Sequence, residues 1–382
     1  MKFKSLLSFA LPCCLLTGAF AGNSHASTIN VNPGDNVAGA IGSAHSGDTV
    51  QFNAGTFNIS SPITIPSGVT LVGSSPNASH IVFNLPGGDN TSYGFQIVGN
   101  AKNVTIEELD FVSNHGVIGM NGGSGYSNIV ITRNNFQYGA GQASNGTLVF
   151  GISGTVPNDG FQLTHNYFHD SQNTIRNYSI WFASNANFDY NLFYNVTDGG
   201  QIDSPGKNVS FSYNYGTHLH RMGQEVSLYA KSTFVCTGNV FYDYVEPYYD
   251  TEGVSIVGPS GEVDITNNYF CASIADGSSW GQTDGGGAER FGFAVECTGN
   301  PSNVSGNTFV GVWANDVSSC MANAKVSNND VYGYGLWGYF SGEPGVYGNG
   351  SIIASHNSID NNVNDAPAPP DNLYAGPKKH SM

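Results

Sequence analysis

The sequence predicts an all-β chain coiled into a solenoid of parallel strands, on three observations. A short pattern recurs along the chain, its spacing has a floor of one coil, and the composition is poor in charge and in helix-forming runs. The pattern is two alternating apolar positions, an Asn, and an apolar residue two places on. It reads NIVITRNNF at Asn134, FQLTHNYF at Asn166, ANFDYNLF at Asn191, NVSFSYNYG at Asn214 and FVCTGNVF at Asn239. EVDITNNYF at Asn268, NVSGNTF at Asn307, KVSNNDV at Asn329 and IIASHNSI at Asn357 complete it. The Asn-to-Asn steps are 32, 25, 23, 25, 29, 39, 22 and 28 residues. A floor of 22–25 with longer steps describes a constant coil whose loops take insertions. Gly contributes 50 of 382 residues and charged residues only 10%, against an α-solenoid.

Within each rung, alternation sends Ile129 and Ile131, Phe161 and Leu163, Val209 and Phe211, and Val263 and Ile265 to one face. No rung buries that face alone, but each covers the next at a strand spacing of about 4.8 Å. The recurring Asn is expected to turn the corner after the strand, because Asn tolerates left-handed backbone angles. Its stacked side chains are expected to hydrogen-bond along the coil axis. The repeat makes one elongated domain, residues 27–362.

Ahead of it, Lys2 and Lys4 precede an apolar run from Leu6 to Phe20, with small-residue cleavage sites ending at Ala21 and Ala26. Residues 1–26 read as a secretory signal peptide, too short and wrongly flanked for a membrane span. Asn36 to Ala44 reads as a short amphipathic helix, with Val37, Ala40, Ile41 and Ala44 at helical spacing, covering the open end of the stack. Four Cys follow the signal, Cys236, Cys271, Cys297 and Cys320, and secretion favours two disulfides. Cys297 with Cys320, about one coil apart, and Cys236 with Cys271 is the favoured pairing. The Pro-rich tail, residues 363–382, is expected to cap the last coil loosely or to lack order.

A net charge of −16 argues against nucleic acid and anionic membranes as partners. It also disfavours a polyanionic glycan unless calcium or a local basic patch compensates. The Asn-x-Ser/Thr triplets at Asn103, Asn208 and Asn303 sit at strand starts, where the repeat already accounts for them.

The opening phrase SGDTVQFNAGTFNI, from Ser46 to Ile59, resembles that of secreted pectate-lyase-like proteins. The resemblance implies a right-handed parallel β-helix over nearly the whole chain after the signal. It does not carry a reaction, because that superfamily holds lyases, glycoside hydrolases, epimerases and phage tail spikes. The catalytic patterns of polygalacturonases and pectate lyases are absent. The phrase from His220 to Glu225 resembles a His-Arg-Met-Gly-Ile-Glu phrase of uncharacterised β-helix proteins, with Gln224 in place of Ile.

Chemistry is sought in the middle rungs. THLHRMGQEVSLYA packs His218, His220, Arg221 and Glu225 into eight residues. Val226 and Leu228 read as inward, which sends Glu225 outward. One rung earlier Ile202 is inward, with Gln201 and Asp203 outward. Stacking places Asp203 either directly beneath Glu225, about 5 Å away, or one pleat off, about 8 Å. Two carboxylates at such spacing suit glycoside hydrolysis, with one acid and one base or nucleophile. His218, His220, Arg221 and Gln201 then bind substrate. Asp250 or Glu252, in an inserted acidic loop with Tyr248, is the alternative partner. That loop offers the oxygen ligands calcium prefers, but its spacing matches no calcium loop, so no cofactor or metal is expected. Trp181, Trp280, Arg290, Glu296 and Trp337 fall on neighbouring rungs or loops as further wall of a glycan groove.

The sequence therefore points to a secreted, monomeric glycoside hydrolase acting on a neutral or weakly charged polysaccharide. A lyase or epimerase on a uronate-containing glycan and a non-catalytic glycan-binding β-helix are the alternatives.

Overall fold

A computed structural model gives the fold. It describes residues 25–75, 77–86, 93–97, 99–121, 125–138, 147–152, 158–171, 176–203, 205–227, 232–244, 252–257, 261–271, 302–310, 325–332, 353–356, 358–360 and 365–371. For residues 220–225 and 252–257 it gives backbone course and register. Residues 1–24, most of the expected signal segment, together with Leu228, Cys297 and Cys320, lie outside the described residues.

Each coil lays down up to three faces, and every strand pairing described is parallel. The first face stacks strands from Thr28–Val31 through Ser127–Thr132 and Val209–Ser212 to Ile353–Ser355. The second runs from Gly55–Ile59 through Tyr167–Ser171 to Ser358–Asp360, and the third from Ile63–Ile65 through Arg176–Trp181 to Glu252–Val257. Two long strands, Leu192–Asp203 and Tyr215–Ser227, bend from the second face into the third without interruption. On the first face Val130 pairs with Gln162, Gln162 with Asn187, Ala186 with Val209, and Val209 with Phe234. Those offsets of 32, 25, 23 and 25 residues equal the sequence repeat. The predicted inward residues, Ile129 to Ile265, are all buried.

The Asn ladder is present and continuous. Asn191 Nδ2 donates to Asn214 Oδ1 at 3.1 Å and to the carbonyl of Leu163 at 2.8 Å, and Asn191 N donates to Asn214 Oδ1 at 2.8 Å. The same triplet of bonds recurs from Asn134 to Asn307, whose partner is Asn329, and all these Asn are buried. One expectation is corrected here. The left-handed turn is made by the residue before each Asn: Arg133, His165, Tyr190, Tyr213, Gly238, Asn267, Gly306 and Asn328 all have φ between 55° and 68°. The turn frees the Asn side chain to point inward, where it satisfies backbone groups that a corner otherwise orphans. Inside, the apolar residue two places after the Asn builds a phenylalanine column. Phe111, Phe136, Phe168 and Phe193 stack at 5.2, 4.8 and 5.4 Å.

The predicted helix is Val37–Ser43, capped by Asn36, whose Oδ1 accepts from Gly39 N at 3.0 Å. Its buried Val37 and Ile41 join the core and close the N-terminal end. Two further expectations fail. Cys236 and Cys271 are not joined by a disulfide. Cys236 points inward between Phe211 and Ile265, whereas Cys271 lies past the Asn268 corner, next to the inward Phe270 and so on the outer side. The wall of the coil separates them. The tail is also not loose throughout: Ala366 packs against the outer side of the second face.

Candidate active site

The third face presents the predicted groove residues in a fixed register. Trp181 pairs with Asp203 and Asp203 with Ser227, while Ser179 pairs with Gln201, Gln201 with Glu225 and Glu225 with Ser255. Asp203 and Glu225 are therefore one pleat apart on adjacent strands, the wider of the two expected arrangements. Strand spacing and rise put their Cα atoms about 8 Å apart.

A single extra residue sets this register. Val196 pairs with Leu219, an offset of 23, but Asp198 pairs with Met222, an offset of 24, so Tyr215–Ser227 carries a bulge between Leu219 and Met222. The bulge contains His220 and Arg221. Without it, Glu225 would pair with the buried Ile202 instead of Gln201, because a one-residue slip exchanges the two faces of a strand. His218, just before the bulge, has φ 57° and its ring stacks on Tyr194 with centroids 5.5 Å apart.

The outer side chains of this strip are tied together. Trp181 Nε1 donates to Ser179 Oγ at 3.1 Å, and Ser179 Oγ donates to Gln201 Oε1 at 3.1 Å. The indole is thereby held in one orientation with its ring half-buried, and Gln201 is nearly covered. Sequence reasoning omitted Ser179. It lies two residues before Trp181, so the same alternation places it on the outer face. Asp198, which the sequence analysis does not single out, is a buried strand residue level with Met222 and Glu252. Glu252 lies three residues before Ser255, so its register separates it from the Glu225 line.

Trp181, Gln201, Asp203 and Glu225 are thus gathered on adjoining strands, with His218, His220 and Arg221 at the adjacent corner. Tyr248, Asp250, Trp280, Arg290, Glu296 and Trp337 lie outside the described residues. One acid elsewhere has a raised pKa. Burial pushes the Asp189 carboxyl up, against hydrogen bonds from Ser210 Oγ and Ser212 N that pull it down. It stands at the opposite corner, beside the Asn ladder, and those bonds give it a structural role. Among the described residues no group of three His, Cys, Asp or Glu side chains is placed to hold a metal ion.

No family model matches the chain, and no curated protein matches it in sequence. Solved structures do. PfbA, a surface adhesin of Streptococcus pneumoniae, is 14% identical with a TM-score of 0.53 over 89% of this chain and 92% of that one. DFA-IIIase from Arthrobacter chlorophenolicus A6 is 15% identical with a TM-score of 0.50 over 84% and 79%. Pectate lyase Pel9A is 14% identical with a TM-score of 0.46 over 88% and 79%. The fold is a right-handed parallel β-helix. Within this β-helix the strip from Trp181 to Glu225 occupies the third face, midway along the stack. No helix among the described residues is long and apolar enough to cross a membrane.

Proposed function

We propose that the protein is a secreted, monomeric, carbohydrate-active enzyme that hydrolyses a glycosidic bond in a neutral or weakly charged polysaccharide across the third face. The observation that carries this reading is the register of Asp203 and Glu225, two acidic residues one pleat apart on adjacent strands, about 8 Å apart at Cα. Carboxyl groups about 5–5.5 Å apart suit retention and about 6.5–9.5 Å apart suit inversion, and Cα atoms at this spacing are compatible with either. Glu225 is assigned as general acid and Asp203 as base or nucleophile. Trp181 supplies an aromatic face for a sugar ring beside Asp203, and Gln201, His218, His220 and Arg221 supply hydrogen bonds to hydroxyls.

The chain's negative charge supports a neutral substrate over a uronate polymer. The DFA-IIIase structure shows that this fold accompanies carbohydrate chemistry in another protein, and the adhesin shows that it also occurs without a stated enzyme activity. The test is a panel of polysaccharides assayed together for new reducing ends and for the ultraviolet absorbance of unsaturated uronates. Reducing ends without absorbance, lost by about a hundred-fold or more in Glu225→Gln, is the expected result. Absorbance would assign a lyase instead, and binding without turnover would assign a glycan-binding module.

A further inference from the structure

The proline-rich run after the last coil returns along the molecule. Ala366 packs on an outer stripe of the second face made by Val240, Tyr269 and Val310 and flanked by Tyr215, Tyr242 and Tyr332. Tyr269 Oη donates to the carbonyl of Pro367 at 2.9 Å. The charges of Asp365 and Asp371 act on two phenols of the stripe: Tyr332 is raised by burial and then by Asp330, Asp360 and Asp365, and Tyr215 by burial, then by Tyr242 and Asp371.

The register gives the length of the stripe from the rung of Tyr332 to that of Tyr215. Asp330 pairs with Thr308, Thr308 with Tyr269, Tyr269 with Val240 and Val240 with Tyr215, which is four coil steps. At about 4.8 Å per step the stripe is about 19 Å long. Asp365 and Ala366 turn the chain onto it, and Pro367 to Asp371 follow without helix or strand; their four steps span about 12 Å at the polyproline II rise of about 3.1 Å. The sequence DAPAPPD, with Pro at 367, 369 and 370, is built for that conformation. Ala366 and Pro369, three residues apart, are half-buried while the residues around them are exposed, the period by which a polyproline helix keeps one side on a surface. Tyr215 and Tyr242, whose hydroxyls bond at 2.8 Å with rings edge-to-face, lie on the same stripe. Tyr215 also packs on Tyr167 and Leu192, so the apolar surface continues beyond Tyr215.

We propose that this stripe is a docking groove for an extended proline-rich segment, and that its occupant is the chain's own Asp365–Asp371. The chemistry is that of aromatic-lined grooves that take preformed polyproline helices, where little chain entropy is lost on docking. The groove lies on the second face and does not depend on the third-face site.

The test uses the full chain. Ala366→Asp with Pro369→Gly weakens the strap and leaves the groove intact. A labelled peptide of residues 363–373 is then titrated against wild type and variant by fluorescence anisotropy. The expected result is saturable binding to the strap variant, little to wild type, and none for a scrambled peptide. Adding Tyr269→Phe should weaken that binding about five-fold, the loss of one hydrogen bond. The proposal is overturned if the variant, with wild-type circular dichroism, does not bind the peptide. Binding that ignores Tyr269→Phe, or that is as strong to wild type, overturns it too. Self-association of the variant without peptide binding would reassign the groove to a second copy.

Discussion

Asn214→Ala removes one link of the buried ladder, and its effect follows from counted bonds. Asn214 Nδ2 donates to the carbonyl of Phe188 at 2.9 Å and to Asn239 Oδ1 at 3.0 Å. Its Oδ1 accepts from Asn191 N at 2.8 Å and Asn191 Nδ2 at 3.1 Å. All four bonds vanish in the variant, and the Asn191 N–H and the Phe188 carbonyl lose side-chain partners in a water-free interior. At about 1 kcal/mol per net bond, the loss is about 4 kcal/mol before any void is counted. Asn208→Ala in the same coil is the matched control. Asn208 Nδ2 bonds to Asn185 Oδ1 at 2.8 Å, but on the surface, and the residue has φ 56°. Its loss is about 1.5 kcal/mol, mostly from placing Ala in a left-handed conformation. Urea denaturation followed by circular dichroism measures both. If the two variants lie within about 1 kcal/mol of each other, the ladder does not hold the coils together as described.

Other consequences are as specific. Gly73→Ala should destabilise by about 3 kcal/mol in the same assay, because the new Cβ would lie 1.9 Å from the carbonyl oxygen of Glu108, a backbone atom that cannot swing away. Asp48 accepts from His45 N, Ser27 N and Ser27 Oγ, which hold its pKa down from 3.8 to about 2. A lowered carboxylate stabilises above its unfolded value, and that contribution is lost as pH falls through the folded one. The stability gap between wild type and Asp48→Asn should therefore be full above 3.8 and close as pH drops toward 2. Cys236, whose thiol burial raises far above its ordinary value, should resist iodoacetamide in the native protein. Peptide mapping that found a Cys236–Cys271 disulfide would contradict the fold.

The β-helix was legible because its determinants are local and periodic. Alternation in NVSFSYNYG names the inward Val209 and Phe211, and the Asn spacing equals the strand register. The earliest coils were less visible, since Leu109 occupies the place Asn134 takes one coil later, as the pairing of Asn135 with Asp110 shows. The residue that turns each corner was misassigned because the Asn is the constant feature, while its neighbour varies among Arg, His, Tyr, Gly and Asn. A left-handed turn constrains the backbone, and the ladder constrains the side chain, so only the second leaves a signature in composition. At the candidate site, pleat alternation sends Gln201, Asp203 and Glu225 outward, and the rung order sets Trp181 beside them. The choice between two registers was not legible, because it depends on one extra residue in the strand between Leu219 and Met222. The course of Asp365–Asp371 was hidden for a different reason: its partners are separated from it by up to about a hundred residues, as with the Tyr269–Pro367 bond.

The most direct test of the account is a crystal structure of Glu225→Gln with an oligosaccharide of the polysaccharide that the panel identifies. The account predicts a sugar ring stacked on Trp181 and a glycosidic oxygen between Asp203 and residue 225 on the third face. A saccharide bound only on the first or second face, with the strip from Trp181 to residue 225 empty, would contradict it.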